Sequence, residues 1–275
     1  MALLPRAWAA ETDAELHFEV ADGLVAHARV LEDGGIEVRT NRGMQPQRLP
    51  AASDEEGRSR LDHGDYNFDG YQDLVSRASA GQVNEAVVVN VYDPAQGMFR
   101  ELVAPTDTPA NCEGFWSLLA DEASRTLTSS CRGGPMWYSD VYRYHDERLY
   151  LYRSMRLAYL QAEALGQVLL LDVAEDSAPL AVWSTFDPSG QVLEQSIGDG
   201  LALPAHGVSL HGDEAIVVPS RLPLYARAGD SSTKRYLVKG DRVELLDLDE
   251  DWLQVRYRNP ARGPIVGWVK LPENP

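Results

Sequence analysis

The chain of 275 residues holds only two cysteines, and no apolar run approaches the roughly 18 residues that cross a bilayer as a helix. A dense disulfide framework is therefore excluded, and so is a helical membrane span. Cys112 and Cys131 form no C-x-x-C pair and neighbour no histidine cluster, which argues against cysteine-held zinc. G-x-S-x-G, H-E-x-x-H, a phosphate-binding glycine loop and a dinucleotide fingerprint are all missing. The six histidines, His17, His27, His63, His145, His206 and His211, are scattered. The chain thus reads as a non-enzyme, although spacing alone leaves open paired acids of the glycosidase kind. Positive charge is also short. Lys and Arg number 25 against 42 Asp and Glu, a formal net of -17. Such a surface repels nucleic acid and anionic membranes, and it suits a basic partner or plain solubility.

The acidity is uneven. Residues 217–275 carry ten Lys and Arg against eight Asp and Glu, a net of +2, which leaves -19 on residues 1–216. This shift suggests a boundary near Ile216. The expected organisation is an exported N-terminal tail (1–14), a β domain (15–212) and a small barrel (217–275). In the tail, Ala7-Trp8-Ala9 has the form of a secretory A-x-A site, and an unstructured Ala-rich tail is the competing reading.

What the chain does have is a concentrated acidic loop, Asp65-Tyr66-Asn67-Phe68-Asp69-Gly70-Tyr71-Gln72-Asp73. Counted from Asp65, oxygen donors fall at positions 1, 3, 5 and 9: Asp65, Asn67, Asp69 and Asp73. Gly70 sits at position 6, where an ion-wrapping loop turns sharply, and Tyr71 would add its main-chain carbonyl. Tyr66 and Phe68 alternate with the donors and should point into a core. Calcium is the hard cation that such an oxygen set suits. Position 12 is Ser76, not the bidentate Glu of an EF-hand, and Leu74-Val75-Ser76 reads as a strand. The plain alternative is an Asp/Asn/Gly turn.

Elsewhere, short alternating apolar segments separated by Asp-Gly and Pro-Gly-type turns predict a meander of β-hairpins. Mild helical spacing is confined to residues 157–165, and residues 167–173 read as a strand. Phe115–Leu119 and Thr126–Ser130 are expected to pair. That would put Cys112 and Cys131 at the open ends of one hairpin, where a disulfide could form in an oxidising compartment; free buried cysteines are the competing reading. Arg132-Gly133-Gly134-Pro135-Met136-Trp137-Tyr138-Ser139 follows, and it is a candidate partner-binding loop. Arg132, Met136, Trp137 and Tyr138 are its contact residues, since Trp, Tyr and Arg dominate interface hot spots. The competing reading makes Trp137 and Tyr138 the start of a core strand. Residues 197–212 read as a linker, and five short strands follow.

Two resemblances emerge from these residues. Lys239-Gly240-Asp241-Arg242-Val243, Asp251-Trp252-Leu253-Gln254-Val255 and Gly267-Trp268-Val269 resemble, in order, the motifs of bacterial SH3 domains. That likeness implies a small barrel, and in some members the barrel binds peptidoglycan. Asn67 to Leu74, Val91 to Pro94, Phe99 to Leu102 and Tyr142 to Leu151 resemble the bacterial periplasmic family of the xanthomonad immunity protein that inhibits a secreted lysozyme-like toxin. The family usually shows Gly where this chain has Glu147-Arg148. This second likeness implies a propeller-like β fold with a calcium site, in a periplasmic or secreted inhibitor that occludes a basic wall hydrolase. Wall binding through the SH3-like segment is the alternative.

Overall fold

The computed structural model describes residues 15–272 apart from Met44, Pro135 and residues 172–178. The tail 1–14, Pro135 of the candidate loop and the end of the strand expected over 167–173 lie outside the described residues. The all-β expectation holds. Strands make up 54% and helix 3%, in several antiparallel sheets, none of them closed among the described residues. The chain divides into two compact units. The first takes residues up to Asp107, Cys112–Met136 and Tyr142–Leu149, and the second takes Thr108–Asn111, Trp137–Val141 and residues from Tyr150 onward.

The first unit begins with a four-stranded meander of β1 (Glu15–Ala21), β2 (Leu24–Val30), β3 (Ile36–Thr40) and β4 (Gln47–Leu49), paired in chain order. Period-two alternation explains it. Phe18, Val20, Ala26, Ala28, Ile36 and Val38 all turn to one buried face. A second sheet follows: β5 (Arg60–Gly64), β6 (Asp73–Ala80), β7 (Asn84–Asp93) and β8 (Met98–Glu101), with β9 (Phe115–Trp116) paired to β7. The two sheets share one apolar core, in which Phe18, Val20 and Ile36 pack with Leu61, Leu74, Tyr92 and Phe99. Gln47 ties the layers together. Its amide donates to the Phe99 carbonyl at 3.2 Å, and its oxygen accepts from the Phe99 N–H at 2.9 Å.

The hairpin expected from Phe115–Leu119 is split. Phe115 and Trp116 pair with β7, and only β10 (Leu119–Asp121) pairs with β11 (Thr126–Gly133). Ser117, at φ 42°, breaks the run between them. Cys112 and Cys131 nevertheless form a disulfide, with their Cα atoms 5.8 Å apart. β12 (Met136–His145) and β13 (Arg148–Leu157) carry the chain from one unit to the other. At their turn Asp146 and Glu147 both take positive φ, 47° and 62°, as a two-residue hairpin of the primed type demands.

The second unit contains α1 (Ala162–Val168), β14 (Leu169–Leu171), β15 (Leu180–Phe186), β16 (Val192–Asp199) and β17 (Glu214–Val217). β18 (Arg221–Pro223), β19 (Tyr236–Val238), β20 (Arg242–Asp249), β21 (Trp252–Asn259) and β22 (Gly263–Lys270) complete it. The helix is shifted from 157–165 to 162–168, so residues 167 and 168 of the strand expected at 167–173 are helical and Leu169–Leu171 form β14. Ala164, Leu165 and Val168 supply its buried face. β14, β17, β20, β21 and β22 make an open five-stranded sheet, while β18 and β19 pair separately. Tyr225 bridges to Trp268. Gly267 is required there, because a Cβ would lie 2.8 Å from the Tyr225 carbonyl oxygen. A single core runs from Ala158 and Leu169 through Val182 and Ile197 to Val243, Leu253 and Val269, so the buried cluster crosses residue 216.

Residues 200–213 have little regular structure, but they are not a free linker. Arg153 is 1% exposed, and its guanidinium donates to the carbonyls of Pro204, Ala205 and Val208 at 3.2, 3.4 and 3.2 Å. It also bonds Thr185 Oγ1 at 3.1 Å and lies 3.6 Å from Glu194. A buried charge survives only when it is satisfied in this way.

Candidate metal centre and partner surface

The acidic loop joins β5 to β6 and is closed at its base, where Gly64 pairs with Asp73. Tyr66 and Phe68 are buried, as their alternation implied. Arg77 fixes the first of them. It donates to Tyr66 Oη at 2.7 Å and to the Leu118 carbonyl at 3.1 Å, and it pairs with Glu85 at 2.9 Å. Phe68 adopts φ 58°, a left-handed conformation that costs an L-residue about 1–2 kcal/mol. Ring packing offsets this: Tyr144 meets Phe68 edge-on at 6.2 Å, and Arg125 lies 5.6 Å over its face. Gly70, at φ 91°, makes the expected sharp turn.

The structure brings Asp65, Asn67 and Asp69 together. Asp65 accepts from the N–H groups of Asp69 and Gly70 at 3.1 and 2.8 Å. Asn67 accepts from Asp69 N–H at 3.1 Å and donates to the Asp69 carboxylate at 2.8 Å. Asp69 also accepts from Tyr71 N–H at 2.9 Å, and the Tyr71 ring packs 5.6 Å from Tyr92. Asp73 behaves differently. It is fully buried, and its two oxygens accept from the main-chain N–H groups of Tyr66 at 2.8 Å and Tyr92 at 2.9 Å. His63 stays outside this set, with its ring stacked 5.1 Å from Phe18 and Nδ1 3.0 Å from Gln72 Oε1. Among the described residues, no three His, Cys, Asp or Glu side chains already converge as a metal cluster.

Electrostatics mark the loop as short of positive charge. Burial pushes the Asp73 carboxyl up to about 7, against the pull of its two N–H donors, and the carboxylates of Asp69 and Asp65 push the same way. The Tyr144 hydroxyl is also buried, and it has no hydrogen-bond partner. Burial raises it first, then Asp73, with smaller contributions from Asp65 and Asp69. An orphaned hydroxyl and a desolvated carboxylate beside two more carboxylates are the surroundings that a bound cation relieves. Asp65, Asn67, Asp69 and Asp73 carry the oxygen donors that a hard cation takes, with those of Asp73 also engaged by main-chain amides. Sequence reasoning missed Tyr144 and Arg77. The period-two spacing of Tyr142 and Tyr144 along β12 was the one available signal for Tyr144, and nothing local distinguishes Arg77.

Within the candidate partner loop, Arg132 and Gly133 end β11 and Met136 opens β12. Arg132 lies in β11, where its N–H donates to Asn84 Oδ1 at 2.9 Å and its Nε to the Gly134 carbonyl at 3.0 Å. Met136, Trp137 and Tyr138 open β12. Met136 is half-buried, Trp137 is 39% exposed, and Tyr138 packs against Met155, Ala181, Trp183 and Leu210. Strand alternation thus splits the pair: Tyr138 faces the core and Trp137 faces solvent.

No protein-family model and no curated protein matches the chain. Among solved structures it is similar to TolB from Acinetobacter baumannii, at 8% identity and a TM-score of 0.21. The alignment covers 86% of this chain and 59% of the TolB chain, so this chain spans less than two thirds of that protein's length. A likeness at that score carries no argument about fold or role.

Proposed function

We propose that this protein is an exported, calcium-binding inhibitor of the immunity type, which blocks a basic, lysozyme-like wall hydrolase by steric occlusion. The observation that carries the reading is the 65–73 loop. Three carboxylates and an amide sit at ion-loop spacing, Asp73 is pushed up to about 7 by burial, and a buried Tyr144 hydroxyl beside them has no partner. Asp65, Asn67, Asp69 and Asp73, with the Tyr71 carbonyl, would hold Ca²⁺. The ion supplies positive charge to a desolvated acidic cluster and stiffens the loop. The Cys112–Cys131 disulfide agrees with a periplasmic or secreted setting.

Support for a basic partner comes from charge. With -19 on residues 1–216, the body attracts a cationic hydrolase over a Debye length of about 8 Å at physiological salt. Exposed Trp137 offers an apolar anchor for the cleft. The test is peptidoglycan hydrolysis by basic lysozyme-type enzymes with increasing amounts of the calcium-loaded protein. Inhibition that weakens as salt rises is expected. Undiminished hydrolysis at micromolar inhibitor rejects the reading. Co-sedimentation of the protein with peptidoglycan alone, without inhibition, would favour wall binding through residues 217–275.

A further inference from the structure

Two histidines and a glutamate lie near one another on the four-stranded meander, separate from the acidic loop. His17 on β1 and His27 on β2 stand directly opposite each other in the ladder. Their rings stack 4.0 Å apart at an interplanar angle of 18°. Both project from the face opposite the core, since their neighbours Phe18, Ala26 and Ala28 are the buried ones. His27 Nε2 is shielded from solvent, and no hydrogen bond satisfies it. The nearest acidic atom is Glu15 Oε2 at 3.6 Å, too far for a hydrogen bond.

That distance has a chemical meaning. In a tetrahedral zinc sphere with Zn–N of about 2.0–2.1 Å and Zn–O of about 2.0–2.2 Å, two ligand atoms stand about 3.3–3.5 Å apart. Glu15 and His27 are already near that separation. Neighbouring cations are occupied elsewhere. Arg29, the ladder partner of Glu15, and Arg39, the ladder partner of His27, both bond Glu37 Oε1, at 3.0 and 3.3 Å. Glu19, also on β1, accepts from Gly23 N–H at 3.1 Å. Glu15 is left facing His27.

We infer that His17, His27 and Glu15 form a surface site for a divalent transition metal of the zinc class, completed by water. The exposed His17 ring rotates out of its stack to present a nitrogen, as the third ligand beside the pair that is already spaced. Two imidazoles and one carboxylate select Zn²⁺ or Cu²⁺ over Ca²⁺, which takes oxygen ligands. This site is independent of the calcium reading.

The experiment is calorimetric titration of the full chain with Zn²⁺ at pH 7.5 in millimolar Ca²⁺, which keeps the acidic loop out of the readout. One zinc per chain is expected. His17→Gln and His27→Gln should each weaken it by more than about tenfold, Glu15→Gln less, and His63→Gln not at all. In the unsubstituted protein, zinc should shift the imidazole resonances of His17 and His27 together, a readout that does not depend on the variants folding. Absence of zinc binding, zinc binding unchanged in His27→Gln, or shifts confined to other histidines would each overturn the proposal.

Discussion

Replacing Asp73 by alanine separates the structural work of this residue from any work with calcium. The side chain is fully buried, and it joins the loop to β7 through the N–H groups of Tyr66 and Tyr92. Truncation leaves two buried donors unpaired, at about 1–3 kcal/mol each. Part of that loss is returned, because a carboxylate disfavoured by burial also disappears, so the expected net cost is about 2–4 kcal/mol. Asp65→Ala removes hydrogen bonds from an exposed loop and should cost about 1 kcal/mol when no metal is present. Calcium reverses the emphasis. At a hundredfold excess over Kd the ion adds about 2.7 kcal/mol of stability, and either substitution should abolish that gain. The assay is urea denaturation of the native chain and both variants, each with chelator and with calcium. Two results would refute the reasoning: Asp73→Ala as stable as the native chain in chelator, or Asp65→Ala keeping the full calcium-dependent gain.

Three further outcomes are expected. Replacing both Cys112 and Cys131 by alanine opens a loop with a sequence separation of 19 and should cost about 3 kcal/mol, measured by denaturation against the oxidised protein. Glu147→Gly should stabilise the β12–β13 hairpin by about 0.5–1 kcal/mol, because glycine adopts the positive φ at that position without strain; a lower urea midpoint would contradict this. Trp137→Ala should cost less stability than truncation of a fully buried aromatic, since Trp137 is 39% exposed, while weakening inhibition of the hydrolase by about 2 kcal/mol or more. Equal inhibition by the variant and the native chain would remove Trp137 from the interface.

Much of the fold is legible in local chemistry. Alternation placed Phe18, Val20, Ile36 and Val38 on one face, and Asp22-Gly23 marked a turn, because side-chain direction in a strand has a period of two and glycine tolerates positive φ. The 65–73 loop was equally readable. Its donors alternate with Tyr66 and Phe68, and the structure buries both rings. The family patterns added the propeller-like and SH3-like expectations; among the described residues the sheets are antiparallel and none is closed.

Sequence alone determined the strand-rich class, the pair of cysteines able to bridge and the spacing of the acidic loop, since each depends on residues close in the chain or on residue type. Tertiary structure decided the rest. Residues 162–168 became helix because Leu165 and Val168 join a core with strands far along the chain. Residues 197–212 looked like a linker, but residues 197–199 belong to β16, and the buried Arg153, from β13, gathers the carbonyls of Pro204, Ala205 and Val208. Asp73 looked like one donor among four, but its oxygens are committed to amides on two separate segments. Tyr144 became part of the acidic site only when β12 brought its hydroxyl beside the loop. Each of these depends on a buried polar or apolar group meeting a distant partner, and the long-range pairing that brings them together is not encoded in any local pattern.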